Sequence, residues 1–555
     1  MTREKSRCLK GLGNPGGLTF RTNLPLWPKM GLALGAGLII ILGLFTSCTP
    51  PATVRETDTL VTALPYEPAT LNPVFLSDHL SYTVSAFVSP GLMKLDGDLN
   101  LKGDLAESWE ISGDGREIRF RLRSGVKWHD GREFAADDVV YTYQLITSGK
   151  IPTPHLSHFG PVREVKALDP LTVAVIYDQV YSSALQSWTM GLLPRPASQK
   201  SPPEEESLVR TPPGTGPYRV KEWLSGQKLV LEAHKEYYAG PPRIRTLILR
   251  IIPDAATAFM ELKSGNLDVM ELTPSQYAQW SQVAELKKNF TLYRCPSVKY
   301  GFLGFNHRNP RFQEPRVRQA LGGAIDKEAI VQKVLHGLGR PATGPYPPGA
   351  WYHPGDLIPP PYDPQKAQEV LRSLGWYDAI KTPEGKPAPL KLVTNYESKE
   401  NLLIAEIIQD NWKRIGVPLQ IEALEWLTFR FRTITQKNFD LVLLSRHYIF
   451  DPDLYDVWHS SKTGEGEWNF LSYHNAEVDR LLKLGRCTLN QDQRKKIYRK
   501  INQIMTEDPP CVFLYDGDAV YLARKDIREI TPSPLGIFYN VSQWYISGQA
   551  AGGRH

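Results

Sequence analysis

"PLKLVTNYESKENLLIAEIIQDNWKRIGVPLQIEALEW", residues 389–426, decides the fold class of this 555-residue chain. It opens on a short apolar run at about 390–394, the length of a buried strand. Leu403, Ile404, Ile407, Ile408, Trp412 and Ile415 then recur at three- and four-residue spacing, which lines one face of a helix. Gly416 and Pro418 close that helix. "LQIEAL" supplies a second strand, residues 426–435 a second helical pattern, and "FDLVLLS" (439–445) a third strand. Alternation of this kind predicts an α/β fold with an open parallel sheet and helices on its faces. Such sheets bind ligands beyond the carboxyl ends of their strands. Three loops are therefore candidates, beginning at Asn395-Tyr396, Glu425-Trp426 and Ser445-Arg446-His447-Tyr448, each carrying an aromatic.

The pattern changes away from this unit. Upstream of it, Asp363, Pro364 and Gly375 mark the start and stop of another helix. Between 108 and 134, Ile118, Phe120 and Leu122 alternate with Arg119, Arg121 and Arg123, the period of a half-buried strand. Gly113-Asp114-Gly115 and His129-Asp130-Gly131 read as its turns. Asp137-Asp138 opens a helix, where acids suit the positive end of the dipole. "SPPEEESLVRTPP" (201–213) reads as a boundary loop.

At the amino end, six basic residues and one acid precede an apolar run, Met30–Phe45, of 16 residues. A spanning helix needs about 20, so the run fits a removable export signal better than an anchor. Residues 1–47 also carry nearly all of the chain's net +6, which leaves the remainder almost neutral. No basic, aromatic-interleaved track suggests nucleic acid. Five cysteines include no CxxC pair. Beyond Cys8 and Cys48, Cys295, Cys487 and Cys511 read either as three buried thiols or as one Cys487–Cys511 bridge plus a thiol. The chain contains no G-x-S-x-G, H-E-x-x-H or P-loop, and Gly11–Gly16 fits G-x-G-x-x-G without a preceding strand.

Two resemblances refine this reading. Leu44-Phe45-Thr46-Ser47-Cys48 resembles the lipobox of bacterial lipoproteins, which implies lipid on Cys48, residues 1–47 removed, and a short tether to residue 57. From about Thr59 to Trp544 the chain resembles extracellular solute-binding proteins of the peptide, nickel and opine class, which serve ABC importers. The segments carrying that likeness are "LAESWEISGDGREIRFRLRSGVKWHDGREFAADDVVYTY" (105–143), "GTGPY" (214–218), "IIPDAATAFMELKSGNLDV" (251–269), "FNHRNPRFQEPRVRQALGGAIDKEAI" (305–330), "DPDLYDVWHSS" (451–461) and "HNAEVDRLL" (474–482).

The resemblance implies a two-lobed, periplasmic-binding-protein-like α/β fold with a discontinuous first lobe and a hinge. Its pieces would be 48–91, 214–300 and 516–548, with an accessory subdomain at 92–213 and a second lobe at 301–515. It implies an exported, monomeric, non-enzymatic receptor without cofactor, anchored by lipid outside the cytoplasmic membrane and partnered by a permease. The captured solute would be a peptide, with nickel, a metal chelate or another small anion as the alternative and a secreted enzyme as a distant one. In the class's peptide binders an acid three places before the DPD stretch holds the ligand's amino terminus; here that place is Tyr448. Burying an ammonium without a carboxylate is costly, so Asp451 or another acid has to serve. Arg446 suits a carboxylate or phosphate. Ser77 and His79 follow a segment matching a cleft-lining stretch of the class. With Tyr396, Trp426 and Trp458 they complete the expected ligand-binding set. His155 and His158, with His79 and His447, are the residues a metal would use.

Overall fold

The computed structural model describes residues 58–196, 209–280, 282–383, 385, 387–448 and 451–547. The export signal, Cys8, Gly11–Gly16, Cys48, the tether and residues 201–208 of the boundary loop lie outside them. Among the described residues no helix is long and apolar enough to cross a membrane.

One 11-stranded mixed sheet organises the molecule. Its elements in chain order are β1 (Thr59–Leu64), β2 (Tyr218–Leu224), β3 (Lys228–Ala233), β4 (Thr246–Ile251), β5 (Val269–Glu271), β6 (Phe290–Phe305), β7 (Leu390–Asn395), β8 (Leu419–Leu424), β9 (Leu441–His447) and β10 (Cys511–Arg524). Across the sheet they run β8-β7-β9-β6-β10-β5-β1-β4-β3-β2, and a short strand, Gly339–Pro341, pairs with β10. β8, β7 and β9 are parallel neighbours, as the alternating pattern predicts. β1 is likewise parallel to β4 and β5.

The expected all-parallel sheet is nevertheless corrected. β6 and β10, 16 and 14 residues long, run antiparallel to each other, and β6 is antiparallel to β9. These two strands join the halves. Their register breaks between Pro296 and Tyr300 and again at Gly301–Phe302, where the strand bends.

Four helices matter to the site: α1 (His79–Ser85), α2 (Pro364–Ser373), α3 (Lys399–Arg414) and α4 (Trp426–Arg430). α2 starts as read, with Asp363 accepting from the Lys366 amide at 2.9 Å and Gly375 left-handed at φ 63°. α3 buries Ile404, Ala405, Ile408 and Trp412. Leu403, placed on the same face by spacing, is instead 49% exposed. The helical stretch at 426–435 is α only to Arg430 and continues as a π turn, Phe431–Thr435.

A separate four-stranded sheet orders Ala106–Ile111, Glu117–Leu122, Thr172–Tyr177 and Val162–Asp169. Ile118, Phe120 and Leu122 point into its core, as their alternation predicts. The HDG turn holds this sheet to the GTGPY segment. The Gly214 amide donates to His129 Nδ1 at 3.1 Å, and Nε2 lies 3.1 Å from the Gly216 carbonyl, which sets the neutral Nε2–H tautomer. Burial pushes the ring's pKa down to about 4. A Cβ on Gly214 would lie 1.8 Å from the Val88 carbonyl oxygen, so only glycine permits this approach. All three described cysteines are free, and Cys487 is exposed, which corrects both cysteine readings.

Candidate functional site

The parallel strands β7, β8 and β9 end in the loops that carry Tyr396, Trp426 and Tyr448. The expected ligand residues divide there into four places. Ser77 is exposed in the turn before α1, which Asp78 caps by accepting from the Ser81 amide at 2.9 Å. The His79 ring stacks on His447, with centroids 4.1 Å apart and planes 14° apart. This contact joins α1 of the first half to the end of β9 in the second. Burial lowers both imidazoles, His447 to about 3 with His79 and Lys299 contributing, so both rings are neutral at ordinary pH.

Tyr396 and Trp426 occupy the second place, 53% and 41% exposed at the ends of β7 and β8. Trp426 stacks on Phe429, and its amide donates to Glu397 Oε1 at 3.1 Å, linking the two loops. Their aromatic surface is free to meet a solute.

Arg446 and Tyr448 make the third. Period two along β9 sends them to the face opposite His447. Arg446 lies 5.3 Å over the Trp468 ring and forms no ion pair among the described residues. It lines a crevice with Tyr300, Phe302, Val457 and Trp458, too tight here to take a water molecule. Tyr448 is buried, stacks on Tyr300 at 4.4 Å, and donates to Asp516, whose carboxyl burial pushes up to about 6. Trp458 is 3% exposed within the second half's core.

Asp451 is the fourth. It pairs with Arg494 at 3.1 Å, accepts from Ser183 Oγ at 2.8 Å, and accepts from the Asp453 amide at 2.8 Å. Its charge is met by the protein itself. The neighbouring contacts repeat the theme. The Ser182 amide donates to the Arg486 carbonyl at 2.7 Å, and Arg486 Nε donates to Asp453 at 2.6 Å. Together they tie the four-stranded sheet to the second half.

Two further charged residues, Glu271 and Lys299, sit at strand positions outside the expected set. Glu271 ends β5, which is parallel to β1, so the rule applied to the later strands would have found it. Lys299 interrupts the apolar run of β6 beside His447 in register. The other histidines do not join the His79–His447 stack. His155 approaches Tyr82 and His158, at ring distances of 6.1 and 5.9 Å. Among the described residues no group of three or more His, Cys, Asp or Glu is set to hold a metal.

A mixed α/β sheet whose parallel sets, β8-β7-β9 and β5-β1-β4, are joined by the long antiparallel strands β6 and β10 is the architecture of a periplasmic-binding-protein fold. The comparisons agree. Residues 100–468 match the profile described as "Bacterial extracellular solute-binding proteins, family 5 Middle". The chain is 31% identical over 500 residues to oligopeptide-binding protein AppA of Bacillus subtilis, covering 87% of this chain and 90% of that one. The structure of AppA from Bacillus subtilis in complex with a nonapeptide superposes with TM-score 0.77 at 29% identity, over 88% and 99% of the two chains. NikZ from Campylobacter jejuni in complex with Ni(L-His) gives the same TM-score and identity, over 88% and 100%. The chain belongs to the bacterial extracellular solute-binding proteins, family 5. It is a binding protein, not an enzyme.

Proposed function

We propose that this chain is the receptor of an ABC importer and that its solute is a peptide, gripped between two lobes and handed to a permease. The observation carrying this reading is the 31% identity to an oligopeptide-binding protein across 90% of that protein's length. The geometry supports it. Exposed Tyr396 and Trp426 offer apolar surface to side chains of varied shape, and strand ends offer backbone groups to an extended peptide. Ser77 and His79 would contribute from the first lobe, His79 reaching the second through its stack on His447, and Arg446 is the candidate for a ligand carboxylate. The lobes are 48–91, 214–300 and 516–548 against 301–515, with 92–213 accessory, and the register break at Pro296–Tyr300 is the hinge. Cys48 carries the lipid anchor. A Cys48→Ala variant is expected to leave the membrane fraction, and its full retention there would remove the anchor.

A second reading, a metal chelate, has the stacked His79 and His447 and the likeness to NikZ in its favour. One calorimetric series separates the two. A mixture of tri- to nonapeptides is expected to bind at micromolar protein while Ni²⁺, alone or with histidine, gives no heat. The reverse outcome would replace the peptide with the chelate.

A further inference from the structure

The four-stranded sheet and its loops are fastened to the first half of the molecule. The His129 amide donates to the Gly214 carbonyl at 2.7 Å, Thr153 Oγ1 donates to the Val74 carbonyl at 2.7 Å, and Ser533 Oγ donates to the Gly97 carbonyl at 2.9 Å. A Cβ on Gly91 would lie 2.5 Å from the Trp188 carbonyl oxygen, so the two backbones touch there. The sheet is therefore expected to move with that half.

Its contact with the second half is of another kind. Tyr181-Ser182-Ser183 reaches the end of the helix Ala476–Arg486. The last turn of an α-helix has carbonyls with no donor of its own. Ser182 supplies two donors from the other half: its Oγ to the Gly485 carbonyl at 2.9 Å, and its amide to the Arg486 carbonyl at 2.7 Å. Beside them the Arg486 guanidinium lies 4.0 Å over the Tyr455 ring and 5.9 Å over that of Tyr181. Leu489 closes the contact against Gly115, where a Cβ would lie 2.8 Å from its Cδ1.

Ser183 distinguishes this contact from ordinary packing. It precedes the short helix Ala184–Ser187, the position from which a serine usually accepts an amide of its own helix. No such bond forms. The hydroxyl of this residue, 5% exposed, donates instead to Asp451 Oδ1 at 2.8 Å. Asp451 does not depend on it, because Arg494 and the Asp453 amide also hold that carboxylate. If the halves part, no charge is left buried and unpaired, and water takes up the two helix carbonyls and the serine hydroxyls. The contact can break and re-form at small cost, since each bond is exchanged for one to water.

We propose that Tyr181–Ser183, the end of the helix Ala476–Arg486 and Asp451 form a clasp that holds the two lobes shut. Every group in it belongs to the protein, so the closed receptor is populated before any solute arrives. The solute adds its own preference for the closed state to a bias already present. Its residence time is then set partly by a contact it never touches. This rests on the two-lobe reading above.

The test compares the full chain with its Ser182→Ala/Ser183→Ala double variant, which removes one neutral and one charge-assisted hydrogen bond. Stopped-flow release of a fluorescently labelled tri- to nonapeptide mixture is expected to be at least about tenfold faster from the variant. X-ray scattering is expected to give a larger radius of gyration for the solute-free variant than for the solute-free wild type, and equal values once both are saturated with the mixture. Equal release rates together with equal solute-free scattering overturn the clasp and leave lobe closure standing. If neither protein becomes more compact on saturation, lobe closure itself falls, and the clasp with it. If the wild type binds no peptide, the peptide reading falls, and the clasp stands or falls on the solute-free scattering difference alone.

Discussion

Asp451 and Glu271 are both carboxylates, one in each half of the protein, and they differ in exposure: Asp451 is buried and Glu271 is solvent-exposed. Asp451 is closed on every side, by Arg494, Ser183 and the Asp453 amide, and sits where the four-stranded sheet meets the second lobe. Glu271 ends β5, an inner strand of the sheet, opposite Tyr521 in register. A charge whose partners are all intramolecular contributes to architecture. One whose complement is missing is available to a ligand. The first acid of the family's DPD stretch is thus held by the scaffold.

The largest test of that contrast is Asp451→Ala. It leaves the Arg494 guanidinium buried without an acid, which costs about 3–5 kcal/mol. Urea unfolding of the purified protein is expected to show this loss, with peptide affinity of the folded fraction reduced only by the lost Ser183 bond. A loss below about 1 kcal/mol together with abolished binding would exchange the roles of the two carboxylates.

Acid separates the regions more gently. Beside Asp451, burial raises Asp453 to about 6, so the folded protein takes up that proton before the unfolded chain does, and the strain of its charge is relieved as pH falls below 6. At the His79–His447 stack the sign is opposite. His447 is lowered to about 3, facing His79 and Lys299, so the unfolded chain is protonated first and stability is lost as pH falls from 6.5 toward 3. His129, His155 and His307, each lowered to about 4, add to the loss, and Asp516, raised to about 6, opposes it. The histidines prevail, so the melting temperature is expected to drop between pH 6.5 and 4. His447→Asn is expected to flatten part of that drop, and Asp453→Asn to steepen it slightly. Identical pH profiles for wild type and His447→Asn would remove the stack as a source of acid sensitivity.

Much of the second lobe was legible because its signals are local. The 3.6-residue period of α3, the cap at Asp363 and the short apolar runs of β7, β8 and β9 act within a few turns of chain. β6 and β10 were not legible. Pro296, Gly301 and Gly304 break the alternation of β6, and the partner that makes it a strand lies more than 200 residues away. The recess was legible only in part, for a related reason. Tyr396 and Trp426 follow their strands directly, whereas His79 meets His447 only when the two lobes approach. Arg446 and His447, adjacent in sequence, point to opposite faces, which loop composition alone does not reveal.

The central claim is that the lobes hold a peptide reversibly between them. Mass spectrometry of the solute released by denaturing protein purified from its native host tests it most directly. The account predicts peptides, stoichiometric with the protein. A released metal chelate, or a chemically altered product of an added peptide, would contradict it.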